Sequence, residues 1–126
     1  MGAMGYESLI RTVYHCVKGG TKGANANIYR NMETTERFLT DVNWKKTDAE
    51  KILNHKTAFT EVRMYVRNAL RDGLEKIKYK ATRQDIEDIE IMQETLYQSR
   101  FYNKAALDII IHNAEAIFFK NGLEEG

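Results

Sequence analysis

The chain has no proline and a single cysteine, Cys16. The first absence removes the commonest helix breaker, because proline lacks an amide hydrogen and clashes with the preceding turn. The second excludes a disulfide framework and a thiol-rich metal site. Cys16 falls on an apolar helical face, where a small buried residue in a reducing compartment belongs, so the expected location is cytoplasmic. No apolar run reaches the roughly 18–20 residues that a membrane span requires, and no secretory signal pattern is present. The three histidines, His15, His55 and His112, are not spaced as ligand pairs. Neither HExxH nor the Glu-x-x-His spacing of di-metal bundles occurs, and Glu33 with Glu36 is not followed by the further carboxylates of a metal-dependent pyrophosphohydrolase pattern. No metal and no cofactor are expected.

What is present is helical periodicity and sorted charge. The net charge is +1, which argues neither for nor against nucleic acid. Its distribution is more informative. Residues 1–83 hold 16 Lys+Arg against 9 Asp+Glu, whereas residues 84–126 hold 3 against 9. Such asymmetry fits an electrostatic partner surface, or acidic C-terminal helices docking on a basic central one.

Residues 47–80 show the longest consistent helical period. Thr47 and Glu50 have the spacing of a capping box. Ile52, Phe59, Val62, Val66, Ala69, Leu70, Leu74 and Ile77 then recur at spacings that are sums of three and four, the stripe of a core-facing helix. Lys56, Arg63, Arg67, Arg71 and Lys78 fall on a neighbouring arc, and Glu50, Glu61, Asp72 and Glu75 on a third. Lys45 and Lys46 extend the basic surface into the preceding turn. Gly73 lies within the apolar stripe, where it marks a bend or the close approach of another helix. The polar segment 54–57 is the one place where this rod would divide.

Around it, Tyr6–Lys18 forms a short amphipathic helix that Gly19 and Gly20 terminate, and residues 19–27 form a glycine-rich loop without the GK[ST] ending of a phosphate loop. A helix over 28–42 follows, capped by Asn27, with Trp44 in the next turn. Thr82 and Asp85 begin an acidic helix with Asp85, Glu87, Asp88, Glu90 and Glu94 on its outer side. Residues 105–119 form the last helix, in which Asp108 and His112 share a face and Asn121 with Gly122 provides the stop. That helix is apolar on more than one side, and Phe118 and Phe119 offer an oligomer surface. Met1–Gly5 reads as a cloning remnant, and residues 123–126 as a frayed tail.

The segment His15-Cys-Val-Lys18-Gly19-Gly20 resembles the phospho-accepting HxxKG signature of histidine phosphotransfer domains. The resemblance covers about a dozen residues. It implies a nucleophilic imidazole at His15, with Lys18 one turn on to offset phosphoryl charge and glycine to admit a response regulator. The chain departs from that pattern in having few residues before His15.

The resulting expectation is an all-α protein, a single four- or five-helix bundle over residues 6–122 with a long central helix. Its expected role is that of a small non-enzymatic adaptor. The partner would be another protein or its own copy, bound through segregated charged faces. The alternatives are a nucleic-acid-binding accessory protein that uses Lys45, Lys46, Lys56, Arg63, Arg67, Arg71 and Lys78, and a phosphotransfer protein that uses His15 and Lys18.

Overall fold

A computed structural model describes residues 6–20, 26–40 and 46–123. Among these, 82% are helical and none is in a strand. The helices are α1 (Glu7–Gly20), α2 (Ala26–Arg30), α3 (Glu33–Thr40), α4 (Lys46–Leu53), α5 (Lys56–Ile77), α6 (Arg83–Tyr97) and α7 (Lys104–Lys120). The all-α expectation therefore holds, with seven described helices in place of four or five.

The additional helices arise from two breaks. The 28–42 segment divides at Asn31 and Met32, where the Met32 amide bonds back to the Tyr29 carbonyl at 3.2 Å and the Thr35 amide restarts the ladder on Met32. The 47–80 rod divides at Asn54 and His55, inside the polar segment. Here the Ala58 amide donates to His55 Nδ1 at 3.4 Å, and the Phe59 amide to the His55 carbonyl, so His55 caps α5. A side-chain acceptor at this position satisfies one of the amides that a helix start leaves open. Two other boundaries also move. Helix α1 continues through Gly20, and α4 begins at Lys46, which places Thr47 inside its first turn and not at its cap. Asn27 likewise lies within α2. Trp44 and the tail beyond Leu123 are outside the described residues.

The chain forms two compact units, Met1–Val62 and Arg63–Gly126. In the first, α1 packs with α2, α3 and α4. Its buried side chains include Leu9, Val13, Val17, Tyr29, Phe38 and Ile52. Tyr29 is only 1% exposed and its hydroxyl lies 3.5 Å from Cys16 Sγ, so a buried polar tip meets a buried thiol.

The second unit comprises α5 from Arg63 onward, α6 and α7. Arg63, near the start, bonds to the turn that precedes α7. Gly73, near the end of α5, faces Phe118, near the end of α7. Asp85 at the start of α6 meets Lys120 at the end of α7. These pairings make α5 and α7 run in the same direction and α6 opposite to both. Val66, Leu70, Ile89, Leu96, Leu107 and Ile111 are buried among them. The caps are local and strong. Thr82 Oγ1 accepts from the Asp85 amide at 3.1 Å, and Asn103 Oδ1 accepts from the Ala106 amide at 2.9 Å. Helix α7 ends in a Schellman motif: Gly122 takes φ +85°, the Leu123 amide reaches the Phe118 carbonyl, and the Gly122 amide reaches that of Phe119.

Candidate interaction surface

The basic row on α5 does not stand free along its length. Arg63 is buried, at 6% exposure. Its Nη1 donates to the carbonyls of Gln98 and Phe101, and its guanidinium lies 5.7 Å from the Tyr102 ring. Desolvating a guanidinium costs several kcal/mol unless its donors are met; the two carbonyls meet Nη1 here, while Nε is buried without a hydrogen-bond partner. Arg67 is half-buried with its Cζ 4.6 Å from the Tyr97 ring centroid, a cation–π stack. Arg71 is exposed and lies 3.4 Å from Asp72. Lys78 reaches Glu75 at 2.9 Å. Lys56 opens α5 as an exposed residue. Lys46 is the first residue of α4, and Lys45 lies outside the described residues. The continuous row expected from 47–80 is thus interrupted twice, by the helix break at 54–55 and by the burial of Arg63.

Arg67 and Arg71 form one wall of an open cleft of about 390 Å³, with Glu90, Gln93 and Glu94 opposite and Tyr97 at its end. No ion pair among the described residues closes it. Carboxylates facing guanidinium groups make a poor track for a polyanion, because each phosphate drawn to an arginine is repelled from across the cleft. Asp85, expected on the outer acidic side of α6, is instead buried at 5% exposure. Lys120 donates to its Oδ1 at 2.8 Å and Asn121 to its Oδ2 at 3.3 Å. The lysine bond, ahead of the asparagine bond and the Lys120 charge, holds this carboxyl below its ordinary range despite burial.

Helix α7 presents a different kind of surface. Ala105, Ile109, His112, Ala116 and Phe119 are all exposed and recur at helical spacing, so they line one outward stripe. Ile109 is 58% and Phe119 49% exposed. No charged side chain interrupts this row. Phe118 lies elsewhere: it is half-buried, with its ring over Gly73. Asp108 is buried while His112 is exposed. Periodicity had marked the surplus apolar side of this helix. The alternation of large and small residues along it becomes legible only once the buried side is known.

The HxxKG-like segment lies on the last two turns of α1. His15 is exposed, with its ring edge against Tyr14 at 5.7 Å. Lys18 Nζ lies 5.1 Å from the same Tyr14 ring. Gly19 remains helical, and nothing stands within 4 Å of where a β-carbon would be. A shallow opening of about 360 Å³ beside α2 is lined by Ile28, Met32, two asparagines and His55, whose Nδ1 is committed to the α5 cap.

Among the described residues no group of histidine, cysteine and acidic side chains is arranged to hold a metal ion, and no helix is long and apolar enough to cross a membrane. Compared with protein-family models, characterised proteins and solved structures, the chain matches none.

Proposed function

We propose that the chain is a small non-enzymatic interaction module and that its partner surface is the outward stripe of α7, met by a second copy of itself. The observation that carries this is the uncharged exposed row Ala105, Ile109, His112, Ala116 and Phe119. Its pattern is self-complementary about His112. When two such helices pack antiparallel across a two-fold axis near His112, Ile109 of one copy falls opposite Ala116 of the other, and Phe119 opposite Ala105. Large side chains then meet small ones, which an isologous contact requires. Stable dimers bury about 800 Å² per partner and a single helical stripe offers less, so the association is weak. Sedimentation velocity over about a hundred-fold range of concentration tests it, since dimer population follows mass action. The parent should show a rising sedimentation coefficient, and Ile109→Glu with Phe119→Lys should remain monomeric. A parent that stays monomeric throughout removes this reading.

A second reading rests on α1. His15 is exposed, Lys18 lies one turn on, and the helical Gly19 leaves the surface beside them open. Those are the features that the phosphotransfer resemblance requires. Under this reading, incubation with phosphorylated response regulators leaves acid-labile phosphate on the protein and none on His15→Gln. Absence of label on the parent ends it.

A further inference from the structure

The corner between α5 and α6 carries a feature that the sequence period obscures. Helix α5 ends at Ile77, and residues 78–82 form the turn into α6, with the Lys80 and Ala81 amides both bonded to the Ile77 carbonyl. Tyr79 therefore lies in the turn, beyond the last residue of α5. It is 80% exposed, more than any other large hydrophobic residue described. Lys76, Lys78, Lys80 and Arg83 are exposed around it. Lys80 Nζ lies 5.8 Å from the Tyr79 ring.

The carboxylates at this corner are already engaged. Glu75 holds Lys78 at 2.9 Å, Glu87 lies 4.0 Å from Arg83, and Asp85 is held by Lys120. Lys76 and Lys80 make no ion pair with a described carboxylate. The side chains around Tyr79 consequently carry a net positive charge.

We infer that this corner binds single-stranded nucleic acid, with Tyr79 stacking on a base while Lys76 and Lys80 neutralise the flanking phosphates. Three features select this partner. An open aromatic face amid cations is the unit from which sequence-tolerant single-strand binders are built. Duplex bases are already stacked and leave a protruding ring nothing to cover. An anionic membrane would gain little beyond the ring, because Ile77 is buried and Ala81 and Leu123 are half-buried. The surface differs from the 56–71 arginine row, whose charges are buried, stacked or faced by carboxylates. It is also independent of the α7 stripe.

The test is fluorescence anisotropy with labelled oligo(dT) of about twelve nucleotides, within the span of one small binding surface, at about 50 mM salt, where phosphate contacts are strong. The parent should bind, and more tightly than it binds a duplex of equal length. Tyr79→Ala should weaken binding about ten-fold, the loss of one stacked base, while Tyr79→Phe retains it. Replacing Lys76 and Lys80 with glutamine should lower the slope of log affinity against log salt by about 1.4, at about 0.7 per phosphate contact. All the altered side chains are exposed, so circular dichroism should be unchanged. The inference is overturned if the parent leaves the oligonucleotide anisotropy unmoved, if Tyr79→Ala binds like the parent, or if only phosphatidylserine vesicles respond to these substitutions.

Discussion

The ring of Phe118 occupies the space that a side chain on Gly73 would need: its Cζ lies 2.6 Å from where that β-carbon would stand. The glycine thus brings α5 and α7 together, and it offsets its own poor helix propensity, about 1 kcal/mol relative to alanine, by the packing it permits. Gly73→Ala recovers that propensity but overpacks the contact, at a cost of about 1–3 kcal/mol. A net loss of about 1 kcal/mol is expected in urea or thermal unfolding. Combining it with Phe118→Leu, which withdraws the outer ring atoms, should return part of the loss. If Gly73→Ala alone stabilises the protein, the contact is looser than described.

Arg63 and Arg71 provide a paired test of structural against surface charge. Arg63 is 6% exposed and donates to the Gln98 and Phe101 carbonyls in the segment after α6, the first of which also accepts from the Phe101 amide. Arg63→Ala removes both charge-assisted bonds and takes this donor from the Phe101 carbonyl, and should cost about 2–3 kcal/mol. Arg71 is exposed beside Asp72, and Arg71→Ala should stay within about 0.5 kcal/mol. Chemical denaturation of both variants gives the comparison. Equal costs would mean that Arg63 is not the structural tie it is described as.

The same pair shows where sequence reasoning stops. Features settled within a few residues were legible. Thr82 and Asn121 with Gly122 mark helix ends because a side chain or a left-handed glycine satisfies amides and carbonyls close by, and segment 54–57 was polar enough to suggest a break. Gly73 signalled a close approach, although nothing in the period named Phe118. Arg63 and Asp85 were placed on outer faces because helical geometry gives an angle, not a neighbour. Their partners are 35 residues or more away in the chain. Tyr79 is exposed for a local reason: the helical period, carried to residue 80, runs three residues past the end of α5 at Ile77.

Cys16 and Tyr29 form a buried pair whose two polar atoms serve each other at 3.5 Å. Burial raises the thiol above its ordinary range, and burial followed by the neighbouring Cys16 raises the phenol. Since the thiolate is the nucleophile, Cys16 should resist thiol reagents in the folded protein and react promptly in denaturant. Tyr29→Phe removes the hydroxyl and keeps the ring, so its cost should be about 0.5–1 kcal/mol, that of one ordinary hydrogen bond. Prompt labelling under native conditions would show that α1 opens locally at Cys16.

Asp85 should govern part of the acid limb of stability. Its carboxyl is held below the ordinary aspartate range chiefly by the Lys120 bond, with Asn121 assisting. A depressed folded value means that the unfolded chain takes up this proton first as pH falls. The contribution of ionised Asp85 is therefore present in full above the ordinary value of about 4 and is lost as pH falls through that value towards the folded one. Asp85→Asn keeps the shape and one acceptor but removes the charge that Lys120 answers. The variant should be less stable than the parent at neutral pH, and the gap should narrow as pH drops, because protonation of the parent removes the same interaction. Urea midpoints measured from neutral pH down through the carboxylate range give both curves. Curves that remain parallel to the lowest pH would show that the Asp85–Lys120 pair does not tie α6 to α7 in solution.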